Sequence, residues 1–290
     1  MTEFTKIPKL VLNSPGQPSI PAIKLGYRHF DTARIYGSEE ALGEAIAEAI
    51  QLGLVSREEL FITTKLWCSD NHPHLVAPTL KKSLEALQLE YLDLYLIHWP
   101  ISAKPGNLQF TFAEEDLTPF DLKGVWTALE DTQKLGLTKS IGVSNFSIKK
   151  LQNLLSFASI PPSVNQVEMN PCWQQKKLRE FCKENVIIMT AFSPLGAAGA
   201  SWGTNDVLDN ELLKEIANAR GKSVAQVSLR WIYEQGVTLV FKSYNKERLK
   251  QNIEIFDWSL TEDDHKKISQ LNQHRFNTGP VKTDIWDDNI

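Results

Sequence analysis

The sequence predicts an α/β protein folded as a TIM-type (β/α)8 barrel, with residues 1–290 forming one domain. Three observations carry that expectation. Short β-branched or apolar runs alternate with amphipathic stretches from residue 28 onward, as parallel strand–helix units do. No GxGxxG follows the first such strand, so the usual dinucleotide fingerprint of an open, doubly wound sheet is missing. Polar residues close many different strands: Asp31, Lys65, His98, Ser144, Asn145, Asn170, Ser193, Lys242 and Ser243. An open sheet gathers its ligands at one switch point, whereas a barrel draws them from nearly every strand into one mouth.

The expected strands lie at 28–33 around HFD, 60–66 (LFITTKL), 92–99 (LDLYLIHW), 140–145 (SIGVSN), 164–170 (VNQVEMN), 186–194 (VIIMTAFSP) and 238–243 (TLVFKS). Each is short and rich in residues that suit a pleated, buried surface. Helix-period segments fill the intervals at 38–52, 75–87, 120–135, 147–155, 174–184 and 223–235. Ser147 before IKKLQNLL and Ser223 before VAQVSLRWIY are N-cap signals. Two long irregular stretches, 100–119 and 195–205, interrupt the alternation, and loops of that length in a compact domain tend to serve function.

Composition narrows the function. The chain is 42% hydrophobic and 23% charged, ordinary for a soluble globular protein, and its net charge of -4 argues against a protein that neutralises phosphate backbones. Nucleic acid is therefore not an expected partner. The N-terminal MTEFTKIPKLVLNS lacks the apolar stretch of a signal peptide, and no run approaches the roughly 18 apolar residues of a spanning helix. No membrane association and a cytoplasmic location are expected. Cys68, Cys172 and Cys182 are odd in number and form no CxxC, so buried free thiols are expected rather than a disulfide framework or a metal site. His29, His72, His74, His265 and His274 have no partner that the sequence names.

Four strand-end groups suggest a chemistry. A Tyr hydroxyl titrates near pH ~10 and is a poor acid at neutrality. A neighbouring ammonium stabilises the phenolate and is itself held charged by a carboxylate. An imidazole beside them can orient a substrate oxygen. Asp31, Tyr36, Lys65 and His98 would together donate a proton to an oxygen gaining negative charge, which is half of a hydride transfer. Taken singly, each has a duller explanation: His98 as a core histidine, Lys65 as a charge reaching solvent, 246–250 as a solvated helix face. Their conjunction on separate strand ends favours the chemical reading. A hydrolase is disfavoured because no carboxylate pair stands out at the strand ends.

GYRHFDTARIYGSEEALG, LFITTKLW, LDLYLIHWP, SIGVSNF, VNQVEMNP, FSPLG and VFKSYNKERLKQNIEIFDW together resemble the aldo-keto reductase family, over about residues 22–272. VNQVEMNPCWQQKKLREFCKE, GAAGASWGTNDV and FDW resemble its plant branch, which includes chalcone, codeinone and methylecgonone reductases. The resemblance implies an NADPH-dependent reduction of an aldehyde or ketone, by an enzyme often monomeric. Tyr36 would donate the proton, Lys65 would lower its pKa, Asp31 would pair with Lys65, and His98 would bond the carbonyl oxygen. Ser144, Asn145 and Gln166 would hold the nicotinamide carboxamide, Phe192 would stack on its ring, and Ser193 and Leu195 would complete that cradle. Lys242, Ser243, Asn245 and Arg248 would grip the adenosine 2′-phosphate, with Asn252 near the adenine, and Trp67 and Trp99 would wall the substrate pocket. Two charge-assisted bonds of roughly 1.5–3 kcal/mol each would favour NADPH over NADH by ~10²-fold or more.

Two departures from the family pattern set further expectations. VLNS at 11–14 is followed almost at once by PGQPSIPAIKLGYRHF, so most of the first strand, the first helix and a cofactor-touching Gly-Thr turn are expected to be absent. Seven strands leave a ring one short, with open edges whose backbone groups go unpaired. Either residues 15–24 would fill the gap irregularly or the barrel would stay incomplete, and a reductase-like module that binds NADPH without efficient turnover is the alternative reading. The stretch after 273–275 is also short; residues 278–288 are expected to close part of the mouth, with Trp286 on the barrel.

Overall fold

The computed structural model describes residues 10–13, 19–200, 203–277 and 279–281. Its strands are β1 (Leu10–Asn13), β2 (His29–Asp31), β3 (Phe61–Leu66), β4 (Leu94–Ile97), β5 (Ser102–Ala103), β6 (Leu117–Thr118), β7 (Ile141–Ser144), β8 (Val164–Glu168), β9 (Ile188–Phe192) and β10 (Thr238–Phe241). All but β5 and β6 form one closed parallel ring, in the order β1-β2-β3-β4-β7-β8-β9-β10 and back to β1. The pair β5 and β6 is a small antiparallel ribbon within the 100–119 loop. The seven expected strands are all present, each trimmed at one or both ends.

The expectation of an incomplete barrel is overturned. Leu10–Asn13 is itself a ring strand, not a dispensable lead-in. It pairs with β10 through Val11↔Val240 and Leu12↔Phe241, and with β2 through Leu12↔Phe30 and Asn13↔Asp31. Both edges that seven strands would leave open are thereby satisfied. Residues 19–24 supply helix α1 (Ser19–Lys24) rather than an irregular strand. Pro21 fits there because the first turn of a helix has no use for its missing N–H. Residues 14–18, where the Gly-Thr turn was expected to be missing, lie outside the described residues.

Around the ring lie α2 (Glu39–Gln51), α3 (Val76–Leu87), α4 (Leu122–Lys134), α5 (Ile148–Leu155), α6 (Lys176–Glu184), α7 (Glu211–Arg220), α8 (Val224–Glu234), α9 (Lys246–Ile253) and α10 (Glu262–Ile268). Ser147 and Ser223 cap α5 and α8 as their positions require, and α1, α7, α9 and α10 are additional to the expected set. A Cβ at Gly43 would fall 2.6 Å from the Leu87 backbone, so α2 and α3 touch only because residue 43 has no side chain. Among the described residues no helix is long and apolar enough to cross a membrane.

Strand alternation sorts the interior. Phe61, Leu94, Leu96, Val164 and Ile188 fill the barrel's lower axis, while Ile62, Tyr95 and Val167 join the larger core under the helices. Above that plug, the same inward face of β3 carries Thr63 and then Lys65. A third cluster joins Trp67, Cys68, Trp99, Ala103 and Phe112, from the loops that follow β3 and β4, to Val281 beyond α10.

Candidate active site

The inward face brings Asp31 and Lys65 together at the top of the barrel, 0% and 1% exposed, as a buried ion pair. A buried charge is tolerated only when paired and hydrogen-bonded. Both conditions hold: Lys65 Nζ also donates to the Thr32 carbonyl at 2.9 Å, and the Gln166 amide donates to the second Asp31 oxygen at 2.9 Å. Tyr36 follows β2 in a single 3₁₀ turn, Arg34–Tyr36, which Gly37 ends in the left-handed region at φ 63. The half-buried Tyr36 ring has Lys65 Nζ 5.2 Å from its centre, and its hydroxyl lies 3.4 Å from His98 Nε2.

His98 packs edge-on to Trp67, with ring centres 5.0 Å apart, and stacks against Trp99 at 6.4 Å. Burial, reinforced by the Lys65 charge, holds its pKa well below the usual imidazole range. The ring is therefore neutral near pH 7. It can offer one N–H toward an oxygen without bringing a second positive charge beside Lys65. Its Nδ1 is buried with no hydrogen-bond partner among the described residues. All four residues of the expected tetrad thus meet at one place.

The expected carboxamide cradle adjoins them. Ser144 Oγ donates to the Gln166 carbonyl at 2.8 Å, and Asn145 Nδ2 donates to the His98 carbonyl at 2.9 Å. Asn145 takes a left-handed φ of 64, and its Oδ1 is buried without a hydrogen-bond partner among the described residues. An orphan acceptor in that position suits an amide NH₂ from a ligand. The Gln166 amide nitrogen bonds Asp31, so that group positions the ion pair. Phe192 is half-buried at the end of β9, opposite Glu168 in register, with Ser193 at φ 51 next and Leu195 against the main core.

The residues expected at the 2′-phosphate form a separate cluster just past β10. Lys242 and Arg248 are exposed and have no carboxylate partner among the described residues. Asn245 caps α9 by accepting from the Arg248 backbone N–H at 3.0 Å, Ser243 is buried beside it, and Asn252 is buried on the same helix. This cluster shares no hydrogen bond with the tetrad among the described residues.

Trp67 and Trp99 are both buried at the mouth, and residues that sequence reasoning missed hold them there. Trp67 Nε1 donates to the Gln109 carbonyl at 3.1 Å, and its ring lies 6.0 Å from Phe112. Asn71 Nδ2 donates to the Trp99 and Ile101 carbonyls at 2.9 and 2.6 Å. The alternation of Phe110 and Phe112 in LQFTFA was the one signal available in an otherwise aperiodic loop. The Phe112 N–H donates to the Pro280 carbonyl at 2.8 Å, so residues 279–281 do close part of the mouth. Trp286 lies outside the described residues. Gln109–Leu117 and Gly279–Val281 line a cavity of about 850 Å³ beside the tryptophans. Neither this cavity nor a smaller one of about 370 Å³, lined by Cys172, Asp206 and His274, has an expected site residue in its lining.

Several histidines without a sequence-level partner find one in the fold: His29 with Thr63 at 2.9 Å, His72 with the Ala103 carbonyl at 2.8 Å, His265 with Glu234 at 2.6 Å and His274 with Asp206 at 2.9 Å. The three cysteines are free and buried.

Residues 21–273 match the Aldo/keto reductase family. The NAD(P)H-dependent 6'-deoxychalcone synthase of Glycine max is 69% identical over 274 residues, covering 93% of this chain and 87% of that protein. NADPH-dependent codeinone reductase 1-4 of Papaver somniferum is 58% identical over 280 residues, covering 93% and 87%. Deoxymugineic acid synthase 1-A of Triticum aestivum is 53% identical over 280 residues, covering 93% and 89%. With its closed barrel and its strand-end polar cluster, the chain belongs to the aldo/keto reductase family, on its plant branch.

Proposed function

We propose that this single-domain chain is an NADPH-dependent reductase that turns an aldehyde or ketone into an alcohol, with Tyr36 as the proton donor. The observation that carries the reading is the meeting of Tyr36, the Lys65–Asp31 pair and a neutral His98 at one strand-end cluster. NADPH, when bound, supplies the hydride that the carbonyl carbon accepts. Asn145 Oδ1 would accept from its carboxamide, Phe192 would offer a ring face, and Lys242 and Arg248 would neutralise its 2′-phosphate beside Ser243, Asn245 and Asn252. The NADPH- and NAD(P)H-dependence in the names of the codeinone reductase and deoxychalcone synthase relatives supports that choice.

As the substrate oxygen gains negative charge, the Tyr36 O–H proton moves to it. The phenolate left behind faces the Lys65 ammonium, which Asp31 keeps in place. A proton from water then restores the phenol. His98 fixes the substrate oxygen near Tyr36, and Trp67 and Trp99 exclude water from one side. The reading of a binding module without turnover rested on an unclosed barrel, and the closed ring removes that motive.

The test is NADPH oxidation against a panel of aromatic aldehydes, sugar acids and alicyclic ketones. Tyr36→Phe should lower turnover by about 10²–10⁴. Quenching of tryptophan fluorescence by NADPH should persist in that variant. Full activity without the hydroxyl would overturn the assignment.

A further inference from the structure

Glu168 ends β8 with a carboxylate that the proposed chemistry does not use. It is 2% exposed, and burial pushes its pKa up against the opposing pull of two amide bonds and of Arg275 and His274. Those bonds come from the C-terminal segment: Phe276 N–H donates to Oε1 at 3.2 Å and Asn277 N–H to Oε2 at 2.9 Å. A buried carboxylate is costly unless its oxygens are satisfied. Here both oxygens are spent on holding one short stretch of backbone.

What that stretch carries gives the clasp a purpose. Just beyond it, Gly279 N–H bonds Asn277 Oδ1 at 2.9 Å, and the Pro280 carbonyl accepts from Phe112. Val281 then packs with Trp67, Trp99 and Phe112. Gly279, Pro280 and Val281 form one side of the cavity of about 850 Å³ whose other side is the loop from Gln109 to Leu117. Upstream, the segment is tied to the barrel by the His274 N–H to the Cys172 carbonyl, at 2.9 Å. Among these ties Glu168 is the one that reaches up from a barrel strand.

We propose that Glu168 is a positioning residue for substrate recognition: it anchors the backbone of Phe276 and Asn277 so that Gly279–Val281 stand as a fixed wall, packed on Trp67 and Trp99 through Val281 and facing the 109–117 loop. It touches no substrate, and its consequence rests on the reductase reading above. A displaced wall widens the pocket, which weakens grip on a bulky carbonyl compound and hardly affects a small one. Glu168 also pairs with Phe192 in register, so a purely structural role would disturb NADPH binding as well.

The test compares wild type with Glu168→Gln, which keeps its shape but turns an NH₂ toward a backbone N–H. KM for a bulky aromatic ketone should rise about tenfold, while kcat, KM for a small aldehyde and NADPH affinity by tryptophan quenching stay within about twofold. Backbone amides in 273–281 should exchange hydrogen faster. Glu168→Ala, which removes both acceptors and leaves the Asn277 bond to Gly279 in place, should reproduce the pattern with a larger rise in the same KM. Unchanged exchange in folded Glu168→Gln, or an equal loss for both substrates together with NADPH binding, would overturn the proposal. Should wild type reduce neither compound, the reductase reading fails, and exchange at 273–281 still decides whether the anchor exists.

Discussion

The two ends of the barrel use the same residue types to opposite effect. At the base, before β3, β4 and β7, Arg57 lies 4.1 Å over the Tyr91 ring and bonds Asp93 at 2.8 Å. Lys139 approaches the same ring at 4.1 Å and Asp93 at 3.4 Å, and Asp93 also accepts from the Ile62 backbone at 2.9 Å. These charges find protein partners and sit partly in water. At the mouth, the Lys65–Asp31 pair is fully buried, and His98 Nδ1 and Asn145 Oδ1 lack a partner among the described residues. At the base the open atom, Arg57 Nε, belongs to a guanidinium whose other nitrogens are bonded to protein, while at the mouth the open atoms lie beside a cleft where a ligand can complete them.

That contrast can be broken experimentally, and the largest difference is expected from Tyr36→Phe set against Asp93→Ala. The first should lose about 10²–10⁴ in turnover at unchanged melting temperature. Next comes Lys65→Met, which strands Asp31 in the interior; it should cost about 3–5 kcal/mol in urea unfolding as well as activity. An unchanged unfolding midpoint would show that the mouth pair is not structurally committed. Asp93→Ala leaves the Ile62 N–H unpaired and should cost about 1–3 kcal/mol with kcat/KM unaltered. Any comparable fall in kcat/KM would erase the distinction between the ends.

A smaller effect comes from His98. Its folded-state pKa lies well below the unfolded value of about 6.5, so below that pH the unfolded chain takes up a proton that the native one refuses. Stability should therefore fall as pH drops below about 6.5, by up to roughly 1.4 kcal/mol per pH unit, until the folded pKa is reached. Above that window His98 contributes no slope. Melting curves of His98→Gln should be flatter between pH 7 and 5 than those of wild type. The smallest expected change is a gain at the base: Val186 is 67% exposed at φ 58, where a β-branched side chain is strained. Val186→Gly should stabilise the chain by about 1 kcal/mol without touching activity.

Much of the site was legible because its signals are local. HFDTARIY, ITTKLW and LYLIHWP each place a reactive side chain at a strand end, and no distant residue is needed to see it. The closing strand was not legible, since Leu10–Asn13 has the length of any apolar tetrapeptide and becomes a strand only between β10 and β2. Gln166 was assigned to the carboxamide, and its bond to Asp31 spans 135 positions of sequence. Glu168 drew no assignment from the sequence, and its partner amide is 109 positions away. Phe112 and Val281 meet Trp67 only after two aperiodic segments have been laid across the mouth.

By itself, then, the sequence determined the alternation of strands and helices, the caps, and which side chains could move a proton. Those follow from spacing and residue chemistry, which act over a few positions. Tertiary structure alone decided that the ring closes, which buried acceptors remain open, and which carboxylate holds the wall of the pocket. Each of those depends on strand register and loop packing between remote segments, where pairing is settled by the burial of both faces rather than by any local preference.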